Sequence, residues 1–267
     1  MKYFEIIESQ EQLKEDILCY WQMTGKIDTS KGINSRHIPK GQNILIYNFG
    51  DPIEYPDFTQ NVLSNSSFLI VPALKSSLIF NQKGIIDLFG ISFKGDGFYK
   101  LIQMPVSELF VEFPKGLRSK FEVLFSKLKG KSFTEKKSIA ETFMLENISQ
   151  DIKSDIFCRA IEIIDTSKGA IKVNEIASQL QVSDRHIQRL FMVRMGISPK
   201  DYCKIVRVNN YLEFILAKNT SADWMELVVE YDYHDQPHLI NEVKSISRLS
   251  PGKLLNYRDT LYDRYTF

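Results

Sequence analysis

The sequence predicts two parts in succession: an α+β, β-rich domain with flanking helices, and then an all-α domain. Three observations carry this. Residues 43–94 hold short β-type runs punctuated by Gly and Asn. From about 107 onward, apolar residues recur at three- and four-residue spacing. At 267 residues, the chain suits two domains better than one, given roughly 100–200 residues per domain. The boundary is expected near 145–155, dividing the chain into 1–150 and 151–267.

The β-type runs are NILIYNFGDP, SSFLIVPALK, SSLIF and GIIDLFGISFK. In the last, Ile86, Leu88, Gly90 and Ser92 alternate with Ile85, Asp87, Phe89, Ile91 and Phe93. Both faces are mostly apolar, which predicts a strand buried on both sides. Ahead of these runs, Ser9 is placed to cap a helix through EQLKEDILCYW, with Leu13, Ile17 and Tyr20 on one face. After them, GFYKLIQM reads as a short helix closed by Pro105. From about 107, SELFVEF, LRSKFEVLFSKL and TEKKSIAETFMLENI read as a helical linker. Its residues 115–137 carry eight Lys/Arg against Glu122 and Glu135, a net of +6. That is a solvated helix face or an auxiliary contact to nucleic-acid phosphates.

Composition narrows the function classes. Hydrophobic residues are 43% and charged residues 25%, which excludes disordered, collagen-like and coiled-coil chains. With 34 basic and 33 acidic residues, the net charge of +1 selects no partner. No apolar run approaches the ~18–20 residues that span a bilayer. The opening MKYFEIIESQEQLKED turns acidic where a secretory signal is apolar, so a cytoplasmic protein without membrane contact is expected. Cys19, Cys158 and Cys203 are odd in number and far apart, and read as reduced thiols. His234 and His238 stand at i, i+4, but Asp replaces the Glu of a zinc-protease helix, Pro237 interrupts, and no third ligand is evident. Gly95-Asp96-Gly97 reads as a turn. No Gly-rich phosphate loop, nucleophile elbow or CxxC occurs, so no catalytic residue, cofactor or metal is assigned and an enzyme is not expected.

Residues 173–195, VNEIASQLQVSDRHIQRLFMVRM, carry the most information. Val173, Ile176, Ala177 and Leu180 form one apolar helix stripe, and Gln181-Val182-Ser183 is short enough for a tight turn. Ser183 is a good N-cap for a second helix, in which Ile187, Leu190 and Phe191 form the inner stripe. Arg185, Gln188, Arg189 and Met192 then lie roughly 160°, 100°, 200° and 140° from Ile187, on the outer side. Two guanidinium forks and an amide near a helix start are the groups that read guanine and adenine edges and grip phosphates.

This segment resembles the DNA-binding domain of AraC-type (AraC/XylS) transcription regulators. The residues that carry the likeness are IASQLQVSDRHIQRLF, Gly196-Ile197-Ser198-Pro199, Tyr202 and Arg207. The resemblance implies two helix-turn-helix units, about 173–195 and 223–247, joined by one long helix from Pro199 to about Lys218. Ser183 and, on that connector, Lys204 and Arg207 are further implied DNA contacts, Lys204 at a phosphate. In the second unit, Asp235-Gln236-Pro237-His238-Leu239-Ile240 resembles the second recognition helix, and Ser250-Pro251 with Tyr257-Arg258 its closing segment. Leu239, Val243 and Ile246 would be buried, with Pro237, Asn241 and Lys244 outward. Gln236, His238 and Asn241 are the implied base-side residues, with Lys244 near a phosphate.

The second unit departs from the family at Val228, usually Ala, and at Asp232 and Arg248, usually Gly. Its residues 223–249 carry six acids against Lys244 and Arg248, a net of −4, while 183–218 nets +4. The first unit and the connector are therefore expected to dominate affinity.

The front half, through GQNILIYNFGDP, FLIVPALKSSLIF and IIDLFGISFKGDGFYKLIQMPVSELF, resembles the β-rich effector region ahead of this reader in one AraC-type subgroup. It is expected to sense a small molecule or to dimerise, with Phe49, Tyr55, Phe58, Phe68, Phe80, Phe89, Phe93 and Phe98 as the available aromatics. The expected protein is a transcription regulator that binds double-stranded DNA. A small-molecule effector, a homodimer and RNA polymerase are its candidate partners. The alternative is a protein-interaction module or small-molecule binder with a weakened second helix-turn-helix.

Overall fold

A computed structural model describes residues 2–28, 31–55, 63–64, 67–150, 155–217 and 235–256. The front half is built on β1 (Lys2–Glu8), β2 (Ile17–Ile27), β3 (Ile33–His37), β4 (Ile44–Asn48), β5 (Leu63–Ser64), β6 (Phe68–Val71), β7 (Leu78–Gln82) and β8 (Gly84–Phe93). Six of these form one antiparallel sheet in the order β1-β2-β8-β4-β6-β5, and β3 and β7 pair separately. Helices α1 (Gly97–Ile102), α2 (Val106–Leu109), α3 (Lys115–Leu128) and α4 (Phe133–Asn147) follow.

The period-two alternation of strands assigns each side chain to one of two cores. Tyr20, Leu45, Tyr47, Ile70, Phe89, Ile91 and Phe93 face the helices and pack on Phe121, Leu124, Phe133 and Met144. Their neighbours Ile44, Leu69 and Val71 face the other way, as do Ile86 and Leu88. β8 is thus buried on both faces, as its sequence predicts. Opposite Gly90 stands Trp21, whose indole lies where a Cβ would sit, so only glycine lets it cross the strand.

The expected helix at 10–21 is absent. Glu11–Leu13 makes one 3-10 turn, and Ile17 onward is strand. Leu13, Ile17 and Tyr20 are all buried, so the apolar pattern marks core positions, which a 3-10 turn and a strand irregular between Ile17 and Cys19 present in place of a helix. Pairing with β1 on one side and β8 on the other satisfies the backbone of a β-prone Ile-Leu-Cys-Tyr-Trp run. Ser9, expected to cap that helix, donates its hydroxyl to the Ile17 carbonyl at 3.0 Å. Strands β1, β3 and β5 lie outside the β-type runs of the sequence.

The back half contains α5 (Asp155–Thr166), α6 (Val173–Gln179), α7 (Asp184–Arg194), α8 (Pro199–Ala217), α9 (Gln236–Ser247) and α10 (Pro251–Asn256). Phe157, Ala160 and Ile164 of α5 share one core with Ile176, Ile187, Phe191, Ile205 and Val208. Leu239, Val243 and Ile246 of α9 join it. So do Ile38 and Ala73 from the front half, so the two halves meet through shared apolar surface. None of the helices among the described residues is long and apolar enough to cross a membrane. Lys218, Asp223, Glu226, Val228, Glu230, Asp232, His234, Tyr257 and Arg258 lie outside the described residues, as does Phe58.

Candidate nucleic-acid interface

The first unit forms from local rules. Gln181 takes a left-handed backbone (φ 56°) after α6, and Val182 returns its amide to the Ala177 carbonyl at 3.0 Å. Ser183 caps α7 by accepting the His186 amide at 3.2 Å. Gly196, at φ 83°, closes α7 by donating to the Phe191 carbonyl at 3.1 Å. Pro199 opens α8, where a missing amide proton costs nothing.

Ile187 and Phe191 are buried, whereas Arg185, Gln188, Arg189 and Met192 are exposed. The four outer side chains thus form one solvent-facing strip along α7. The helix is tied at its far end instead. Arg194 donates to the carboxylate of Asp96, just ahead of α1, and its guanidinium lies 5.5 Å from the rings of both Tyr99 and Phe157. Asp96 is 2% exposed and Arg194 13%, so this pair is shielded from water.

On the connector, Lys204 is half-buried. Arg207, expected at DNA, is instead committed to the fold. It forms a fork with Glu242 of α9, at 2.7 Å and 2.9 Å, and also donates to the Gly169 carbonyl at 3.3 Å. With the guanidinium 16% exposed and the carboxylate 4%, Arg207 is a clamp between the connector and the second unit. The same contact revises the charge reading of that unit: Glu242 is a buried, paired anion and presents no acid to DNA.

On α9, Asp235 caps the start by accepting the His238 amide at 2.8 Å, and Pro237 occupies the first turn. Gln236, His238, Asn241 and Lys244 are exposed, opposite the buried stripe. Arg248, where the family has Gly, adopts the left-handed backbone (φ 57°) that glycine would supply. Its Nε donates to Ser76 of the front half at 3.3 Å.

The front half holds a cavity of about 140 Å³ between the six-stranded sheet and the β3–β7 pair. Its walls are mainly apolar, including Phe4, Trp21, Ile44, Ile46, Leu69, Val71 and Phe80. Of the aromatics singled out from sequence, Tyr55 and Phe80 line it. Phe68, Phe89, Phe93 and Phe98 fill the helix-side core, and Phe49 stacks on Phe125 with centroids 5.0 Å apart. Phe4, Trp21 and His37 carry no expectation of a cavity from sequence, because β1 and β3 lie outside the β-type runs and the β2 stretch is expected as a helix. His37 is pushed down to about 4 by burial and by neighbouring Lys40. Lys40 is itself held below its usual range, chiefly by burial. Leu18, Lys40 and Gln42 also line a larger cleft of about 630 Å³, shared with Asp165, Tyr202 and Asn209 of the back half.

Two families match the sequence: a helix-turn-helix domain over 176–257 and a domain of unknown function (DUF6597) over 5–112. No curated protein matches. Among solved structures, ToxT from Vibrio cholerae in a P21 crystal form is 10% identical, with 88% of this chain and 98% of that one covered and a TM-score of 0.44. ToxT from Vibrio cholerae O395 is 10% identical, covering 89% and 97%, with a TM-score of 0.45. An unsaturated fatty acid-bound ToxT from Vibrio cholerae strain SCE256 is 9% identical over 96% and 94%, with a TM-score of 0.38. Behind its β-rich front domain, the chain carries a helix-turn-helix domain of the AraC type.

Proposed function

We propose that the protein reads a specific DNA sequence and adjusts that reading to a small apolar molecule held in its front half. The observation that carries the DNA reading is the outer strip of α7. Arg185, Gln188, Arg189 and Met192 stand in solvent while the opposite stripe is buried. Arg185 and Gln188, near the helix start, match the reach of a recognition helix to guanine and adenine edges, and Arg189 that to phosphate. Met192 offers an apolar contact, and Ser183 holds the helix start. Lys204 and Lys244 supply sequence-independent grip, and Gln236, His238 and Asn241 a second set of base contacts. Arg207 has no part in this scheme.

Residues 1–150 act as the sensing domain and 151–267 as the reader, with helix-turn-helix units about 173–195 and 223–247. The apolar lining of the cavity supports a ligand that is mostly hydrocarbon.

Selection of bound sites from random duplex DNA with the full chain tests the proposal. A recovered consensus whose affinity falls steeply with salt is expected. Consensus sites in pairs would mark a homodimer. Recovery of no consensus, or salt-independent binding, would overturn it.

A further inference from the structure

The last turn of a helix leaves four carbonyls without partners in the helix. In α9, two of these are satisfied by the front half. The Ile246 carbonyl accepts from the Ser77 amide at 2.7 Å and from its hydroxyl at 3.1 Å. The Ser247 carbonyl accepts from Arg36 Nη1 at 3.0 Å, and that positive charge also suits the negative end of the helix. The second recognition helix is therefore capped by another domain.

Those caps stand on the wall of the cavity. Arg36 lies on β3 between Ser35 and His37, and both of these line the cavity. Ser77 directly precedes Leu78 of β7, which also lines it. Because successive strand residues point to opposite faces, the β3–β7 pair has one face on the cavity and the other toward α9. Among the described residues, the pair makes no ladder with the six-stranded sheet. It is a two-stranded ribbon with an isolated bridge from Glu54 to Asn81 beside it, and two strands alone have low intrinsic stability.

Resting on the reading of the front half as a sensor, we propose that the β3–β7 ribbon is the transmitter. Filling the cavity displaces the ribbon from the main sheet, withdraws Arg36 and Ser77 from the last turn of α9, and so resets the second recognition helix. The first recognition helix has a tie of its own, through Asp96 ahead of α1.

The test uses the full chain in four forms: wild type, Arg36→Ala/Ser77→Ala, Val71→Phe, and the combination of all three. Val71 faces the cavity from the main sheet, so the larger ring stands in for a ligand. Amide exchange at 245–249 and affinity for a selected duplex are measured. The Arg36→Ala/Ser77→Ala form is expected to exchange faster there and to shift affinity about fivefold or more. Val71→Phe is expected to do the same in the wild type and to add nothing in the combined form. Additive effects, or unchanged exchange in Arg36→Ala/Ser77→Ala, would overturn the proposal. The second of these outcomes does not depend on whether Val71→Phe folds. If the wild type binds no duplex, the DNA reading fails, while the exchange measurements still decide on the ribbon.

Discussion

The two helices proposed to read DNA share a plan and differ in what holds them. Each starts on a side-chain cap, Ser183 for α7 and Asp235 for α9, and each buries one apolar stripe. α7 ends on its own glycine, with Arg194 tied to Asp96. α9 ends on Arg248 in a left-handed backbone and borrows its carbonyl partners from the front half. The side of α9 toward the connector is held by the Arg207–Glu242 fork. One helix is thus finished mainly by its own sequence, and the other by its neighbours. A unit that depends on its neighbours is the one they can regulate.

The largest expected effect that separates the two comes from Glu242→Ala. It leaves the Arg207 guanidinium uncompensated, which costs about 3 kcal/mol, the low end for a broken buried pair because that group is 16% exposed. Urea unfolding should show the loss, and exchange should place it in α8 and α9 while α7 keeps its protection. Equal loss of protection in α7 would mean that the units do not differ in this way.

Arg185→Ala should leave stability unchanged and erode preference at one base by about 1–3 kcal/mol. Lys244→Ala should weaken all sequences alike and lower the salt slope by about one. Competition binding on single-base variants of the selected site distinguishes these outcomes. Unaltered affinity and preference in Arg185→Ala would remove α7 from the groove.

The smallest effect is set by pH. His37, beside Arg36 on the ribbon, titrates at about 4 in the folded chain against an ordinary 6.5. Between those values the unfolded chain binds more protons, so stability is full above about 6.5 and falls as pH drops toward 4. The cost is on the order of 1–2 kcal/mol, because the residue as a whole is half-buried. A His37→Gln variant should flatten this slope, and exchange on acidification should rise in α9 before α7. A pH slope identical in wild type and variant would acquit His37.

Much of this was legible in the residues. Ser183, Gly196 and Pro199 are local signals whose physics acts within a few positions, so the first unit could be read directly. The same holds for β8, whose two apolar faces marked it as central. The stretch 10–21 could not be read this way. Leu13, Ile17 and Tyr20 fit a helical face, but strand pairing with partners far along the chain decided the outcome. Counting charges missed one pairing for a related reason. Glu242 and Arg207 are 35 residues apart, and each cancels the other only once α8 and α9 are packed.

Sequence alone therefore determined the parts whose interactions are short in range: the caps, the stripes and the outer strip of α7. Tertiary structure decided what depends on distant partners: the fate of residues 10–21, the clamp at Arg207, the tie at Arg194, and the cavity whose ribbon finishes α9. A helix end or a strand face carries its own signal within one or two turns. A buried charge or an unpaired carbonyl is settled only by whatever the fold brings beside it.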